Sequence, residues 1–147
     1  MTIQASDLLL LDTNVLINIV RGNELAGRID AAVGLRQRAE QSLVSIISIG
    51  EAISLGIQLK WGEAKLQRLN ELLGHLVAVD INSRPVLEAY ARFDALQIRR
   101  GWNMTENDLW IAATASASGA VLITTDKDFD HLHEADELRR IWVDPRA

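Results

Sequence analysis

The sequence predicts an α/β fold of three layers, in which a central, mainly parallel sheet of four to five strands lies between helices. Short apolar runs that suit buried strands alternate along the chain with longer segments of helical periodicity. Strands that are separated by helices need crossover connections, and these connections make neighbouring strands parallel. The alternation therefore favours a parallel sheet that is covered by helices on both faces.

The first strand is predicted at the four leucines of residues 8–11, a run too short to span a membrane and bounded by Asp12. Two helices are predicted next, over residues 14–20 and over residues 24–40. Residues 42–47, SLVSII, are apolar and β-branched, and they are predicted to form the second strand.

A pair of helices is predicted after the second strand. Ser48 and Glu51 have the Ser-x-x-Glu spacing in which a hydroxyl and a carboxylate cap the first free amides of a helix, so Glu51 is placed in the first turn. Two apolar helical segments follow over residues 52–75 and are separated near Trp61 and Gly62. Such a pair is typical of a core layer and is also suited to a dimer or partner surface.

The second half of the chain continues the alternation. Pro85 suits the first turn of a helix that runs to about Ile98. Thr105 and Asp108 repeat the capping spacing and place Asp108 in the first turn of the next helix, which Gly119 ends. Three further strands are predicted at residues 76–81, 120–124 and 140–143.

The composition predicts one compact domain over residues 1–147. With 48% hydrophobic residues, a chain of this length can bury a core of its own. The absence of cysteine excludes disulfides, thiolate zinc sites and thiol nucleophiles, and it favours a reducing compartment. No signal peptide or membrane-spanning run is recognisable, so we expect a soluble, cytoplasmic protein.

The formal charge of −5 argues against a nucleic-acid-binding protein of the simple basic-patch type. If four of the acids formed one metal site, however, bound cations would reverse the local field. A phosphate-bearing substrate therefore stays possible.

Four acidic residues are predicted to meet at one edge of the sheet. Asp12 and Asp126 directly follow predicted strands, and the carboxyl ends of such strands are where open α/β sheets bind ligands. Glu51 and Asp108 are predicted in the first turns of helices that begin near the same edge. Each acid alone has another explanation as a helix cap, but the joint arrangement points to a site.

Clustered carboxylates favour a hard divalent cation. Two carboxylates about 5 Å apart repel each other by roughly 3 kcal/mol at an effective dielectric constant near 20. A cation with oxygen ligands removes this repulsion, and carboxylates without cysteine or histidine favour Mg²⁺ or Mn²⁺ over zinc. One or two such ions can activate a water molecule for hydrolysis of a phosphodiester bond.

Four segments resemble, in order and spacing, the PIN-domain ribonucleases of the VapC toxin type. They are LLLDTNVLI, SIISIGEAISLG, TENDLWIAATA and VLITTDKDF. The resemblance covers nearly the whole chain and implies a PIN-like, Rossmann-like domain. It also implies a Mg²⁺- or Mn²⁺-dependent endoribonuclease, commonly a homodimer, that is inhibited by a cognate antitoxin whose tail occupies the active-site groove.

The resemblance assigns roles to individual residues. Asn14 is expected to be a polar supporting residue, and Thr125 matches the small hydroxyl residue before the fourth acid. Asp128 matches a second acid in the same segment and is an alternative to Asp126 as the fourth acid. The acidic site of the family falls on Asp12, Glu51, Asp108 and Asp126.

Contacts with the substrate follow less directly from the sequence. Arg21 and Arg99 are candidates for binding backbone phosphates, and Trp61 or Trp102 is available to stack an unpaired base. Lone arginines are also common on solvated surfaces.

Three other functions compete with the ribonuclease. A phosphotransferase similar to the haloacid dehalogenase class also begins with a strand that ends in Asp, but it needs a second Asp where this chain has Asn14. A non-catalytic PIN-like module would bind RNA or a protein partner without cleavage. A purely scaffolding α/β domain is a third possibility, and loss of metal-dependent cleavage on substitution of Asp12 separates the enzyme from both binding and scaffolding proteins.

Overall fold

The computed structural model describes residues 3–146, which form a five-stranded sheet with helices on both faces. The strands are β1 (Leu9–Leu11), β2 (Leu43–Ser45), β3 (Val77–Val79), β4 (Val121–Thr124) and β5 (Arg140–Trp142). The helices are α1 (Thr13–Arg21), α2 (Glu24–Val33), α3 (Ile46–Gln58), α4 (Glu63–Gly74), α5 (Arg84–Arg100), α6 (Glu106–Ala117) and α7 (Asp130–Glu134). Of these helices, none is both long enough and apolar enough to cross a membrane.

The strand order is β3-β2-β1-β4-β5, and every neighbouring pair is parallel. The chain adds strands to one side of β1 and then crosses to pair β4 with the other side. The order therefore reverses between β1 and β4, and in open α/β sheets ligands bind at the carboxyl ends of the strands at such a reversal. The prediction of four to five mainly parallel strands is confirmed.

The two faces of the sheet have separate hydrophobic cores. Leu10 of β1 packs into one core, whereas Leu9 and Leu11 pack into the other. Because alternate residues of a strand point to opposite faces, a strand that is buried on both faces has to be apolar throughout. The first core includes side chains of α5, α6 and α7, and the second includes side chains of α1, α2 and α4. This arrangement confirms the predicted three-layer α/β/α fold.

The helix predicted over residues 24–40 is wrong in its second half. α2 ends at Val33, because Gly34 has a φ of +65°, in the left-handed region that commonly ends a helix. A short 3-10 turn follows at Leu35–Gln37. The guanidinium group of Arg38 then donates hydrogen bonds to the carbonyl oxygens of Gln4, Ala5, Asp7 and Val33. These contacts join segments distant in sequence, so helical periodicity does not reveal them.

The second strand is shorter than predicted, and the helix after it begins earlier. The hydroxyl of Ser45 accepts a hydrogen bond from the amide of Ile47, so Ser45 is the N-cap of α3. The predicted cap, Ser48, is instead buried within the first turn. Glu51 consequently lies in the second turn of α3, and its predicted place in the first turn is wrong.

Candidate functional site

Asp12 occupies the carboxyl end of the central strand. It follows β1 directly, and its backbone amide donates to the carbonyl of Ile123 in the neighbouring strand β4. Oδ1 accepts a hydrogen bond of 2.8 Å from the amide of Thr13, and Oδ2 accepts one of 2.7 Å from the hydroxyl of Thr124. The side chain thus caps α1 and also joins α1 to the end of β4.

Burial makes the charged form of Asp12 costly. The residue is 4% exposed, and burial is the largest cause that raises the pKa of its carboxyl from the usual 3.8 to about 6. The hydrogen bonds from Thr124 and Thr13 lower this pKa, whereas the charges of Asp126 and Glu51 raise it further. The influence of Asp126 and Glu51 places both near Asp12.

Glu51 joins the N-terminal ends of two other helices. Its Oε1 accepts a hydrogen bond of 2.7 Å from the hydroxyl of Thr13, the first residue of α1. Its Oε2 accepts one of 3.1 Å from the side-chain amide of Asn107, the second residue of α6. Both donors are neutral, and each is adjacent in sequence to one of the predicted acids, Asp12 or Asp108.

Asp108 lies in the first turn of α6, as predicted. Thr105 is the N-cap, and its hydroxyl accepts a hydrogen bond of 3.2 Å from the amide of Asp108. Burial is the largest cause that raises the pKa of Asp108 to about 7, and the charges of Asp128 and Asp12 act in the same direction. Asp108 is therefore an electrostatic neighbour of acids from two other parts of the chain.

Both acids after β4 belong to this neighbourhood. The amide of Asp126 donates to the hydroxyl of Thr124 at 3.0 Å, and Oδ1 of Asp126 accepts from the amide of Asp128 at 3.0 Å. Burial is the largest cause that raises the pKa of Asp126, and the charge of Asp128 also raises it. The charge of Asp126 raises the pKa of Asp12, and the charge of Asp128 raises the pKa of Asp108.

The acids are neighbours without forming a complete ligand set by themselves. Within residues 3–146, no three histidine, aspartate or glutamate side chains are arranged as a group that could hold a metal ion. Hydrogen bonds of Thr13 and Thr124 nevertheless connect Asp12 with Glu51 and with the segment of Asp126 at the reversal of strand order, and the charge of Asp12 acts on Asp108.

The predicted supporting residues have other surroundings. Asn14 is exposed on α1, and its backbone carbonyl accepts a hydrogen bond from Asn18. Thr125 is buried, and its backbone carbonyl accepts from the indole of Trp142 at 3.1 Å. The hydroxyl that binds Asp12 belongs to Thr124, one residue earlier.

The two candidate arginines lie at different distances from the acids. Arg21 ends α1, which begins next to Asp12, so nine helical residues place it roughly 13 Å along the axis from that acid. Arg99 lies in the last turn of α5, and a connection of only five residues leads from α5 into the turn that contains Asp108. Both arginines are exposed.

The rings of the two candidate tryptophans already contact other side chains or backbone. Trp102 stacks on the imidazole of His131 with ring centroids 4.9 Å apart and ring planes 7° from parallel. Trp61 packs against Gly56, where an added Cβ would approach the indole to 3.2 Å, and the ammonium group of Lys65 lies over its ring. These contacts compete with the stacking of an RNA base on either indole.

Sequence reasoning missed three polar residues of the site, Thr13, Asn107 and Thr124. Two of them were visible beside predicted acids, in the segments DTN and TEND. Their side chains bind an acid elsewhere in the chain, Glu51, rather than the adjacent one, and nothing in local sequence indicates that partner.

A groove of about 560 Å³ opens beside Glu51. Apolar and polar side chains of α3, including Glu51, line it together with Asn107. A larger cavity of about 780 Å³ lies elsewhere, between α1, α2, α4 and the segment before β2, and none of the predicted acids lines it. Of these two cavities, the groove is the one that a predicted acid lines.

The fold and the site together define a class of protein: a three-layer α/β domain with carboxylates gathered at the reversal of its parallel sheet. Comparison with protein families identifies the class more closely. A family model described as PIN domain matches residues 9–135, and the chain belongs to this family. The family resemblance drawn from the sequence is confirmed.

Several solved structures have the same fold, and one of them, from Klebsiella pneumoniae, is described as a toxin–antitoxin complex, with a TM-score of 0.61 and 24% identity over 82% of this chain and 89% of that chain. VapBC2 from Rickettsia felis, bound to a DNA fragment from its promoter, is similar with a TM-score of 0.76 and 21% identity over 91% of this chain and 97% of that chain. VapBC-1 from nontypeable Haemophilus influenzae has a TM-score of 0.72 and 20% identity over 92% and 97%. FitAcB from Neisseria gonorrhoeae has a TM-score of 0.64 and 25% identity over 91% and 96%. No curated protein matches the sequence.

Proposed function

We propose that the protein is a metal-dependent endoribonuclease of the VapC toxin type, a single PIN domain over residues 1–147 that acts in the cytoplasm. The observation that supports this most directly is the meeting of Asp12, Glu51, Asp108 and Asp126 at the reversal of the sheet. These acids are far apart in sequence, and helix capping alone gives no reason for them to gather. Asp128 joins the same group.

The donor chemistry of the site fits Mg²⁺ or Mn²⁺. The predicted ligands are all carboxylates, and the pKa values of Asp12 and Asp108 are raised by burial and by neighbouring acids. A divalent cation would favour the charged forms and offset this cost. Magnesium usually binds through one or two protein carboxylates together with retained waters and substrate phosphates, so this arrangement is sufficient for it.

The residues of this chain would prepare the site for hydrolysis. Asp12 is held on one oxygen by the Thr13 amide and on the other by the Thr124 hydroxyl, which fixes its direction at the strand end. Asp108 is held on the first turn of α6 by the Thr105 cap. A bound divalent ion would activate a water molecule and stabilise the developing charge on the phosphate.

The groove beside Glu51 and the descriptions of structural neighbours support a protein partner. One neighbour is described as a toxin–antitoxin complex and another as a member of the VapBC family of toxin–antitoxin systems, and we propose that a cognate antitoxin inhibits this chain as well. A segment seated in the groove would cover Glu51 and Asn107, which line it, and would exclude RNA from the acids.

An exposed apolar face on α3 supports the proposed homodimer. Ile57 is 71% exposed and Ile53 is 45% exposed, and unpartnered aliphatic side chains of this kind on one helix are suited to an interface between subunits.

The two candidate arginines differ in their support as contacts for RNA phosphates. Arg99 remains a candidate because it lies in the last turn of α5, which leads into the turn that contains Asp108. Arg21 is a weaker candidate because it lies at the end of α1 that is far from Asp12.

The test is cleavage of single-stranded RNA by the purified protein with and without Mn²⁺ or Mg²⁺. Asp12→Asn and Asp108→Asn should each abolish cleavage, while Asp94→Asn, a matched change on α5, should retain it. Circular dichroism would verify that each variant is folded. RNA binding without cleavage by the wild-type protein would favour the non-catalytic PIN-like module instead, and cleavage in EDTA would exclude a role for the metal.

A further inference from the structure

Both oxygens of Glu51 are engaged by neutral donors. The hydroxyl of Thr13 binds Oε1 at 2.7 Å, and the side-chain amide of Asn107 binds Oε2 at 3.1 Å. Thr13 is buried at the start of α1, whereas Asn107 is exposed at the start of α6. Glu51 therefore spans the gap between these two helix ends from its place on α3.

Electrostatics would drive Glu51 out of this position. Its charge opposes that of Asp12, whose pKa it helps to raise. A glutamate side chain has several rotatable bonds, and the open groove of about 560 Å³ beside Glu51 offers it a path toward solvent. The two hydrogen bonds act against that repulsion, because charge-assisted hydrogen bonds are stronger than neutral ones.

The repulsion between Glu51 and Asp12 also makes it important that both donors are neutral. A hydroxyl and an amide donate hydrogen bonds without adding charge, whereas an acid at either position would add repulsion. Thr13 and Asn107 are also the immediate neighbours of Asp12 and Asp108 in the chain. The two donors consequently tie the direction of Glu51 to the backbone that presents the other two acids.

We propose that Thr13 and Asn107 are positioning residues that hold the Glu51 carboxylate near Asp12, and so maintain the spacing of the acids that bind the divalent ion. The inference rests on the proposed function, because it concerns the same metal site. Neither residue touches the reacting atoms in this scheme, and both act through Glu51.

The experiment compares variants by their affinity for Mn²⁺ in the absence of RNA, measured by calorimetry or electron paramagnetic resonance. Thr13→Val removes the hydroxyl while preserving shape, and Thr13→Ser keeps it. Thr13→Val and Asn107→Ala should each weaken Mn²⁺ binding by about 10- to 100-fold, the usual effect of losing a partner of a metal ligand. Thr13→Ser and the control Asn103→Ala, an exposed asparagine outside the site, should bind as the wild-type protein does.

A double-variant comparison separates positioning from a general structural effect. In a Glu51→Ala background, Thr13→Val or Asn107→Ala should weaken Mn²⁺ binding no further, because the group through which they act is already absent. In the wild-type background, both changes should lower kcat on RNA at saturating Mn²⁺ more than they alter KM.

The outcomes distinguish the positioning role from the proposed function. Wild-type affinity for Mn²⁺ in both Thr13→Val and Asn107→Ala, or an undiminished effect of either in the Glu51→Ala background, would overturn the positioning role. If Thr13→Val does not fold, the exposed Asn107→Ala and the Glu51→Ala background still decide. Wild-type protein that binds Mn²⁺ but does not cleave RNA would refute the nuclease and leave the affinity comparison valid, and wild-type protein that does not bind Mn²⁺ would refute both.

Discussion

Asp12 performs two tasks that oppose each other. As the N-cap of α1 and the partner of Thr124, it is a structural residue. As a buried carboxylate near Asp126 and Glu51, it is costly to ionise, and its pKa of about 6 expresses that cost. A residue that is destabilising when charged and yet placed at the ligand-binding edge of the sheet is typical of a functional site.

The raised pKa of Asp12 predicts how stability depends on pH in metal-free protein. The folded state binds the carboxyl proton of Asp12 more tightly than the unfolded state does. Protonation of Asp12 therefore adds its full contribution to stability below about pH 4, and this contribution is lost as pH rises through 6. The difference of about two pKa units corresponds to roughly 3 kcal/mol. We expect thermal denaturation in EDTA to show a lower Tm at pH 7.5 than at pH 5.

Asp12→Asn removes the charge and should make Tm in EDTA less dependent on pH. Its Tm in EDTA at pH 7.5 should exceed that of the wild-type protein, because Asn carries no charge and can still form a hydrogen bond with the hydroxyl of Thr124. Addition of Mn²⁺ should raise the Tm of the wild-type protein only. Equal pH slopes for the two proteins would show that the Asp12 proton is not the source.

Thr124 and Thr125 offer a second comparison between neighbouring residues. Thr124→Val removes the donor to Asp12 and the acceptor for the Asp126 amide, so it should lower the free energy of unfolding by about 1–3 kcal/mol and reduce cleavage. Thr125→Val should have a smaller effect, because the contact of Thr125 with Trp142 uses its backbone carbonyl. Urea denaturation of both variants would measure the difference, and a larger loss for Thr125→Val would contradict it.

At the scale of the element, α3 determines where Glu51 lies. The helix begins at Ile46 because Ser45 leaves β2 in an extended conformation and caps the next turn. Successive residues of a helix are rotated by about 100° from one another. Because α3 begins three residues earlier than the sequence predicts, a given side chain of this helix points toward different neighbouring elements. Glu51 is therefore directed toward Thr13 and Asn107 by a cap six residues earlier.

The two serines of this region should respond differently to substitution. Ser45→Ala removes a helix cap and should cost about 1 kcal/mol of stability. The hydroxyl of Ser48 is buried and has no hydrogen-bond partner within residues 3–146, so Ser48→Ala should be neutral or stabilising. Chemical denaturation would decide between this order and the capping box that the sequence spacing suggests, in which Ser48→Ala is the damaging change.

At the scale of the whole molecule, the strand order decides that the acids meet. β1 and β4 are separated by more than a hundred residues and yet pair directly, with Leu11 opposite Ile123. Asp12 and Asp126 follow these two strands, so their pairing brings together acids from the two ends of the chain. The helices α3 and α6 then bring Glu51 and Asp108 to the same edge.

The exposed face of α3 predicts an effect on assembly. If the proposed homodimer uses this face, Ile57→Glu should shift the protein to monomer, because a buried unpaired charge is costly. Asn70→Glu adds the same charge at an exposed position of α4 and serves as the control. Sedimentation velocity would measure both, and an Ile57→Glu protein that remains dimeric would place the interface elsewhere.

The sequence by itself determined the alternation of strands and helices, the three layers, and the positions of Asp12, Asp108 and Asp126 relative to their own strands or helix. These features depend on side-chain periodicity and on capping groups within a few residues, as in Thr105 and Asp108. The end of α2 and the start of α3 could not be predicted with the same accuracy. Side-chain periodicity does not indicate the contacts of Arg38 with distant residues, nor which of Ser45 and Ser48 caps α3.

Only the tertiary structure decided which groups bind the acids. Thr124 rather than Thr125 holds Asp12, and Glu51 is bound by two residues from other helices. The physical reason is that a hydrogen bond between distant segments depends on strand order, helix rotation and packing together, and a linear pattern reports none of these. The local sequence therefore predicted where the acidic side chains lie, and the packing of α1, α3 and α6 decided which groups donate hydrogen bonds to them.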